Sequence, residues 1–162
     1  MPPLWYRLLI VLLVPLYRLR LWMRSRHEPD YLSELSERFG PFAPSHIALS
    51  HSALSHSAPT DSQRPVWVHA VSVGETNAAQ PVIQWLLDQG YPVLVTNTTR
   101  TGKARVRQLF GKYPPSQLES LFLPVDREAV LRPFIEQFQP RLVLLMETEL
   151  WPNCLAVARW YG

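Results

Sequence analysis

Three short stretches hold residue types able to do chemistry. In "HAVSVGE" (residues 69–75) an apolar run ends in Ser72, Gly74 and Glu75. A carboxylate set where a buried strand gives way to a helix has two readings. The helix macrodipole favours a negative charge there by about 0.3–1 kcal/mol, which any surface helix can use. The same field favours the ionised carboxylate, which suits a general base. The residues alone leave both open. In "TNTTRTGKARVR" (residues 96–107) Asn97, Thr98, Thr99 and Thr101 run into Arg100, Lys103, Arg105 and Arg107. Thr99 or Thr101 can cap a helix whose free N–H groups suit an anion; a solvated basic helix face has the same pattern. In "METELWPN" (residues 146–153) Glu147 and Glu149 stand two apart, and on an extended strand end both would face one side. Asp126 closes "LPVD" in the same manner. His69, mid-strand, reads as a buried, hydrogen-bonded histidine rather than a catalyst.

Other chemistries are poorly supported. Neither G-x-G-x-x-G nor G-x-x-x-x-G-K-[ST] is present, so Gly74 is a lone glycine that allows a tight turn and a ligand close to the backbone. One cysteine, Cys154, gives neither a disulfide framework nor a zinc pattern. His46, His51 and His56 recur every five residues in "SHIALSHSALSHSAP", a spacing that suits neither face of a helix nor a strand for metal binding. No cofactor and no metal site is expected.

These stretches need elements to hold them. From Arg64 onward strand and helix alternate four times: "VWVHAVSV", "TNAAQPVIQWLLDQG", "YPVLVTNTT", "TGKARVRQLFGKY", "LESLFLPVD", "REAVLRPFIEQFQ", "PRLVLLMET" and "LAVARWYG". Such alternation predicts an α/β fold, a Rossmann-like parallel sheet with helices on both faces. Ligands then sit at the carboxyl ends of the strands, where all three stretches fall. Sixteen prolines argue against long uninterrupted helices, and Pro81 fits poorly inside its own.

Residues 1–26 hold an apolar run with five arginines, no acid, and Trp5, Tyr6, Tyr17 and Trp22 at its flanks. They are expected to form a membrane-anchor helix, spanning or lying in the interface, with the following domain on the cytoplasmic side. Residues 27–40 predict a short amphipathic helix with Tyr31, Leu32, Leu35 and Phe39 on one face and Gly40 as its C-cap. Residues 41–64 read as a low-complexity His/Ser/Ala/Pro linker. Residues 65–162 form the sheet domain. The chain has 162 residues with a formal net charge of +3, and a pI near 9.3. This suits an anionic partner without choosing among lipid, phosphate and nucleic acid.

"HAVSVGE", "TNTTRTG" and "METELWPN", in this order, together with "ERFG" at 37–40 and the arginine-flanked amino terminus, resemble the amino-terminal half of the 3-deoxy-D-manno-octulosonic acid (Kdo) transferases. The resemblance covers residues 1–40 and 64–162. It implies the amino-terminal domain of a two-domain GT-B glycosyltransferase at the cytoplasmic face of the inner membrane. It implies CMP-Kdo as donor, held mainly by a carboxyl-terminal domain not present here, and the lipid A precursor (lipid IVA) as acceptor. Transfer would invert the anomeric centre without a metal. Glu75 would be the general base, with Glu149 favoured over Glu147 as a second functional acid. Ser72, Gly74, Thr98, Thr99, Arg100, Thr101, Lys103 and Glu147 would line the substrate. Without the second domain, residues 1–162 are expected to be inactive alone.

Three other readings compete. A membrane-tethered, non-catalytic module that binds acidic lipid would not depend on Glu75. A soluble nucleotide-binding protein would lack use for the arginine-rich amino terminus. A nucleic-acid binder would need aromatics interleaved with its basic residues, and most tryptophans here lie in the anchor or in helices.

Overall fold

The computed structural model describes residues 2–26, 31–47, 61–147 and 151–161. Four strands form one parallel sheet: β1 (Val66–His69), β2 (Val93–Asn97), β3 (Leu118–Phe122) and β4 (Leu142–Leu145), in the order β3-β2-β1-β4. β1 sits centrally, with Val68 opposite Val95 on one side and Leu144 on the other. Among the described residues six α-helices of nine or more residues accompany it: α1 (Leu4–Ser25), α2 (Tyr31–Phe39), α3 (Val73–Asp88), α4 (Arg100–Phe110), α5 (Glu128–Phe138) and α6 (Pro152–Tyr161).

Strand alternation decides which helix covers which face. Val66, Val68, Val93 and Val95 point to one side and pack with Ile83, Leu86 and Leu87 of α3 and Val106 and Phe110 of α4. Trp67 and Leu94 point to the other and pack with Leu131, Phe134, Ile135 and Phe138 of α5 and Cys154 and Val157 of α6. Trp67 is fully buried, its ring centroid 5.1 Å from that of Phe134, and its indole N–H donates to Thr96 Oγ1 at 2.8 Å. The expected α/β architecture with helices on both faces is therefore present.

Several boundaries differ from the sequence reading. β1 ends at His69 and α3 starts at Val73, so the strand-to-helix turn is only three residues long. Gly74 lies inside the first turn of α3 at a backbone angle any residue can take. A Cβ there would meet nothing closer than Ser72 Oγ at 3.8 Å, so a tight turn is not its reason. Pro15, Pro81 and Pro133 lie inside α1, α3 and α5, each on an exposed position. Tertiary packing of the opposite face keeps these helices continuous despite the lost N–H. Residues 41–47 belong to the fold rather than to a linker. Phe42 packs on Phe134, and Ser45 donates to Glu119 at 2.8 Å. Ser45 and Ile47 are both buried. The rest of the His/Ser repeat, with His51 and His56, lies outside the described residues.

α1 is not a free-standing anchor. One face, Tyr6, Ile10, Val14, Tyr17 and Leu21, is turned towards the domain. Tyr6 donates to Asp126 Oδ2 at 2.6 Å, and Tyr17 meets Phe39 of α2. The opposite stripe, Leu4, Leu8, Leu12 and Leu16, is 57–70% exposed. No helix among the described residues is long and apolar enough to cross a membrane, so a spanning anchor is not found. Arginines interrupt the apolar run of α1.

Asp126, in the loop after β3 rather than at the strand end, joins three elements. It is 6% exposed. Its Oδ1 accepts the Cys154 N–H at 2.7 Å and its Oδ2 accepts the Asn153 N–H at 3.1 Å, which satisfies the start of α6 from outside the helix. Burial, with Asp126 beside it, pushes the Cys154 thiol up to about 12, so Cys154 is a packing residue. Asp126→Ala strands two N–H groups and the Tyr6 hydroxyl. It should cost about 2 kcal/mol of stability, the upper end for loss of a helix cap. Urea unfolding of the two proteins side by side measures this, and a loss below about 0.5 kcal/mol would show that the cap is dispensable.

Candidate functional site

The site is built where β1 and β2 end. Val71, in the turn after β1, works in both directions. Its N–H donates to Glu75 Oε2 at 2.8 Å, while its carbonyl accepts the Thr98 N–H at 3.2 Å and the Thr99 N–H at 3.1 Å. The Thr99 hydroxyl also reaches that carbonyl at 3.1 Å. The backbone of one residue thus locks the turn carrying Glu75 to the loop carrying Thr98 and Thr99. Below it, the buried Asn97 amide donates to the Ala70 carbonyl at 2.6 Å and to Thr76 Oγ1 at 3.0 Å. Thr99 caps α4 through Gly102 N–H at 3.1 Å, as one of the two candidate threonines should. Gly102 fits closely there: a Cβ would lie 3.0 Å from Asn97 Nδ2 and Thr99 Oγ1 and 3.2 Å from the Val71 carbonyl, so a larger residue would push these groups apart by a few tenths of an ångström.

Glu75 is the third residue of α3 and Ser72 its N-cap. The Ser72 hydroxyl makes no cap bond to the helix and donates instead to Glu75 Oε1 at 3.2 Å. The carboxylate therefore folds back over the turn, as in half of a capping box. Two hydrogen bonds fix its position, and a carboxylate offers about four acceptor directions. The remaining directions can receive the proton of an incoming hydroxyl. Glu75 is half-buried. The bland role of a helix-start acid and the chemical role of a held base use the same geometry.

His69 lies under this turn, fully buried at the end of β1. Its Nδ1 is 3.0 Å from the Thr96 carbonyl, which can only accept, so Nδ1 carries the hydrogen. Its Nε2 has no partner among the described residues. Burial lowers its pKa below the ordinary 6.5, while the Thr96 bond and the nearby Glu75 charge oppose that shift. The unfolded chain thus binds a proton below about pH 6.5 that the native protein resists. Stability should fall as pH drops through that value, by up to about 1.4 kcal/mol per unit. Urea midpoints from about pH 7.5 downward, across the unfolded pKa, measure the slope. His69→Asn should flatten it, and an unchanged slope in that variant would assign the loss to other groups.

The basic stretch is placed differently from expectation. Arg100 Nε donates to Glu34 Oε2 at 2.9 Å, and Lys103 pairs with Glu37. Arg38 Nε bonds Glu34 Oε1 at 2.9 Å, and another of its N–H groups reaches the Thr98 carbonyl at 2.6 Å. Glu37 also accepts the Phe122 N–H at 2.7 Å. Helix α2 therefore clamps the ends of β2 and β3, and part of the charge on Arg100 and Lys103 is met inside the chain. Arg105 turns to Asn77 at 2.7 Å, and Arg107 is exposed. The helical spacing of Tyr31, Leu32, Leu35 and Phe39 revealed α2 in the sequence, but Glu34, Glu37 and Arg38 carried no sign of which partners they would meet.

The acidic stretch is only partly described. β4 ends at Leu145, and Glu147 is exposed with φ +60°, so it sits in a turn rather than on an extended strand end. The pairing of Glu147 and Glu149 on one strand face does not hold at Glu147. Glu149 lies outside the described residues. The sheet brings Ser72, Glu75, Thr98, Thr99, Arg100 and Thr101 to the ends of β1 and β2. Among the described residues Glu147 makes no hydrogen bond or ion pair with them.

The sequence model of a family described as 3-Deoxy-D-manno-octulosonic-acid transferase (kdotransferase) matches residues 33–161. A 3-deoxy-D-manno-octulosonic acid transferase of Bordetella pertussis is 42% identical over 158 residues, covering 97% of this chain and 34% of that protein. The one from Haemophilus influenzae is 32% identical, covering 93% of this chain and 32% of its own length. A probable mitochondrial 3-deoxy-D-manno-octulosonic acid transferase of Arabidopsis thaliana is 31% identical, covering 94% and 31%. The chain spans about a third of the length of these relatives. No solved structure matches it.

Proposed function

The chain belongs to the 3-deoxy-D-manno-octulosonic acid transferase family of glycosyltransferases, and on that premise we propose that it is the acceptor side of an enzyme that moves Kdo from CMP-Kdo to the lipid A precursor (lipid IVA). The observation that carries this reading is Glu75, held by Val71 N–H and Ser72 at the start of α3 with acceptor directions to spare. In the proposed step Glu75 takes the proton from a primary hydroxyl of the acceptor. The hydroxyl oxygen bonds to the anomeric carbon of Kdo from the face opposite the leaving group. The bond from that carbon to the CMP phosphate oxygen breaks, CMP leaves with the electron pair, and the anomeric centre inverts. A positioned base of this kind supplies about 10²–10⁴ in rate.

The enzyme would work at the cytoplasmic face of the inner membrane, with α1 lying in the interface rather than across it. Support comes from the exposed Leu4–Leu8–Leu12–Leu16 stripe, from Trp5 and Trp22 exposed at either end of the helix, and from the arginines along it. Residues held by the carboxyl-terminal part of the relatives would bind CMP-Kdo.

The test is transfer of Kdo from CMP-Kdo to lipid IVA in membranes, read by mass spectrometry of the lipid. It uses residues 1–162 alone and the same residues fused to the carboxyl-terminal part of the Bordetella pertussis relative. The fusion should turn over and the chain alone should not. A folded fusion without product would sink the reading, and turnover by the chain alone would sink the need for a second domain. Lipid IVA binding untouched by loss of Glu75 and unaccompanied by transfer would favour a non-catalytic lipid-binding module.

A further inference from the structure

We propose that the space between α1 and the ends of β2 and β3 is a two-part lipid subsite, with a groove for one acyl chain and a basic pocket for a phosphate of the same molecule. The proposal rests on the reading of the acceptor as a phosphorylated lipid and says where part of that lipid leaves the bilayer.

The groove has a volume of about 320 Å³, at the lower end of small-molecule sites. Ile10, Leu13 and Val14 of α1 form one wall, and Leu123, Pro124 and Val125, just after β3, form the other. Its lining also includes two buried polar atoms with no partner among the described residues, Trp151 Nε1 and Thr98 Oγ1. The indole N–H can only donate. An ester or amide carbonyl at the head of an acyl chain, or a hydroxyl on that chain, supplies what it lacks. A purely hydrocarbon occupant would leave it unmet.

Tyr17, Arg38 and Thr98 line both this groove and a second cavity of about 600 Å³. There Arg20 and Arg24 of α1 face Arg38 and Arg100, with Thr99 and Thr101 at the start of α4 and Glu34 as the acid. Four arginines and one carboxylate thus line the pocket, and that carboxylate is already bonded to Arg38 and Arg100. Arg20 and Arg24 make no ion pair among the described residues. The pocket suits a phosphate, for which arginine is well shaped.

The two cavities together choose the occupant. A soluble nucleotide would leave the apolar groove empty, and an apolar peptide would leave the arginines unmatched. An amphiphile with a phosphate and an acyl chain fills both. Leu13 lines the groove and is also 47% exposed beside the outer apolar stripe of α1. Leu13 therefore joins the groove to the outer stripe from which an acyl chain in the interface would enter. The Thr98–Thr99 loop that borders the basic pocket is tied through Val71 to Glu75, so the loop that would meet the lipid and the turn that carries the carboxylate are fixed to each other.

The probe is dodecyl phosphate with a diazirine at its terminal carbon, presented to the chain, alone and in the fusion, in phosphatidylcholine vesicles. After illumination, labelled residues are mapped by mass spectrometry. Label is expected at Leu13, Val14 or Leu123–Val125. Val14→Trp and, from the other wall, Val125→Phe should each cut that label about tenfold, with folding confirmed by circular dichroism. Arg20→Ala with Arg24→Ala should raise the half-saturating concentration about tenfold, as the loss of charged phosphate contacts does. The uncharged dodecanol analogue should label the groove weakly. Label confined to Leu4, Leu8, Leu12 and Leu16, or undiminished in both filled grooves, would overturn the subsite. So would full displacement by inorganic phosphate at equal concentration, which would mark a site for free phosphate. Labelling needs no donor and no transfer, so failure of the subsite and failure of the transferase reading are told apart.

Discussion

Glu75→Gln, made in the fusion that carries the second domain, should lower kcat for Kdo transfer by about 10²–10⁴ with little change in lipid binding. Glutamine keeps an oxygen that can accept the Val71 N–H, now made at 2.8 Å, so the turn after β1 should hold. What it loses is the ability to take a proton. Glu75→Ala removes both, and should add a stability loss of about 1 kcal/mol from the stranded N–H. Comparing the two separates chemistry from capping. Steady-state turnover, lipid binding and urea unfolding of the three proteins give the answer. If Glu75→Gln retains full turnover, Glu75 is a helix-start acid and the search for the base moves to Glu147 and Glu149. If both variants lose stability equally and activity follows stability, the carboxylate is structural.

Glu34→Ala should have the largest effect on the fold, a loss of about 3–5 kcal/mol, because it leaves a buried charge without its partner. Glu34 and Arg38 are each 4% exposed. The same carboxylate holds Arg100 at 2.9 Å, so one truncation releases two guanidinium groups. Arg38 lies over the Phe122 ring at 4.4 Å and donates to the Thr98 carbonyl, so its release also loosens the loop beside Glu75. Replacing both partners, Glu34→Met with Arg38→Leu, should recover much of the stability, as buried pairs often tolerate apolar replacement. It should not recover the position of Thr98, and transfer by the fusion should stay low. Denaturant unfolding of the single and double variants measures the first effect, and kcat the second. A loss below about 1 kcal/mol in Glu34→Ala would show that water reaches the pair and screens it.

What the sequence determined by itself follows from periodicity and from local chemistry. Four apolar runs alternating with amphipathic ones specify a parallel sheet, because parallel strands need crossovers and buried strands need covering on both faces. The positions of Glu75 and of Thr99 at helix starts were legible because a cap acts within three or four residues of itself, whereas Ser72, read as the end of a strand, is the N-cap of α3. Tertiary structure decided everything that depended on distant partners. Arg100 and Lys103 looked like a strip ready for an anion until α2, some 66 positions away, brought Glu34 and Glu37 against them. Asp126 looked like a site acid, yet it caps α6 and holds Tyr6 from 120 residues off. α1 read as an anchor because composition sees apolar residues but not their neighbours. The fold alone divides that helix into an inner face against the domain and an outer stripe left exposed. Hydrophobicity and charge are properties of a residue. Which of them is spent inside the chain and which is left for a ligand is a property of contacts, and contacts exist only once the chain has folded.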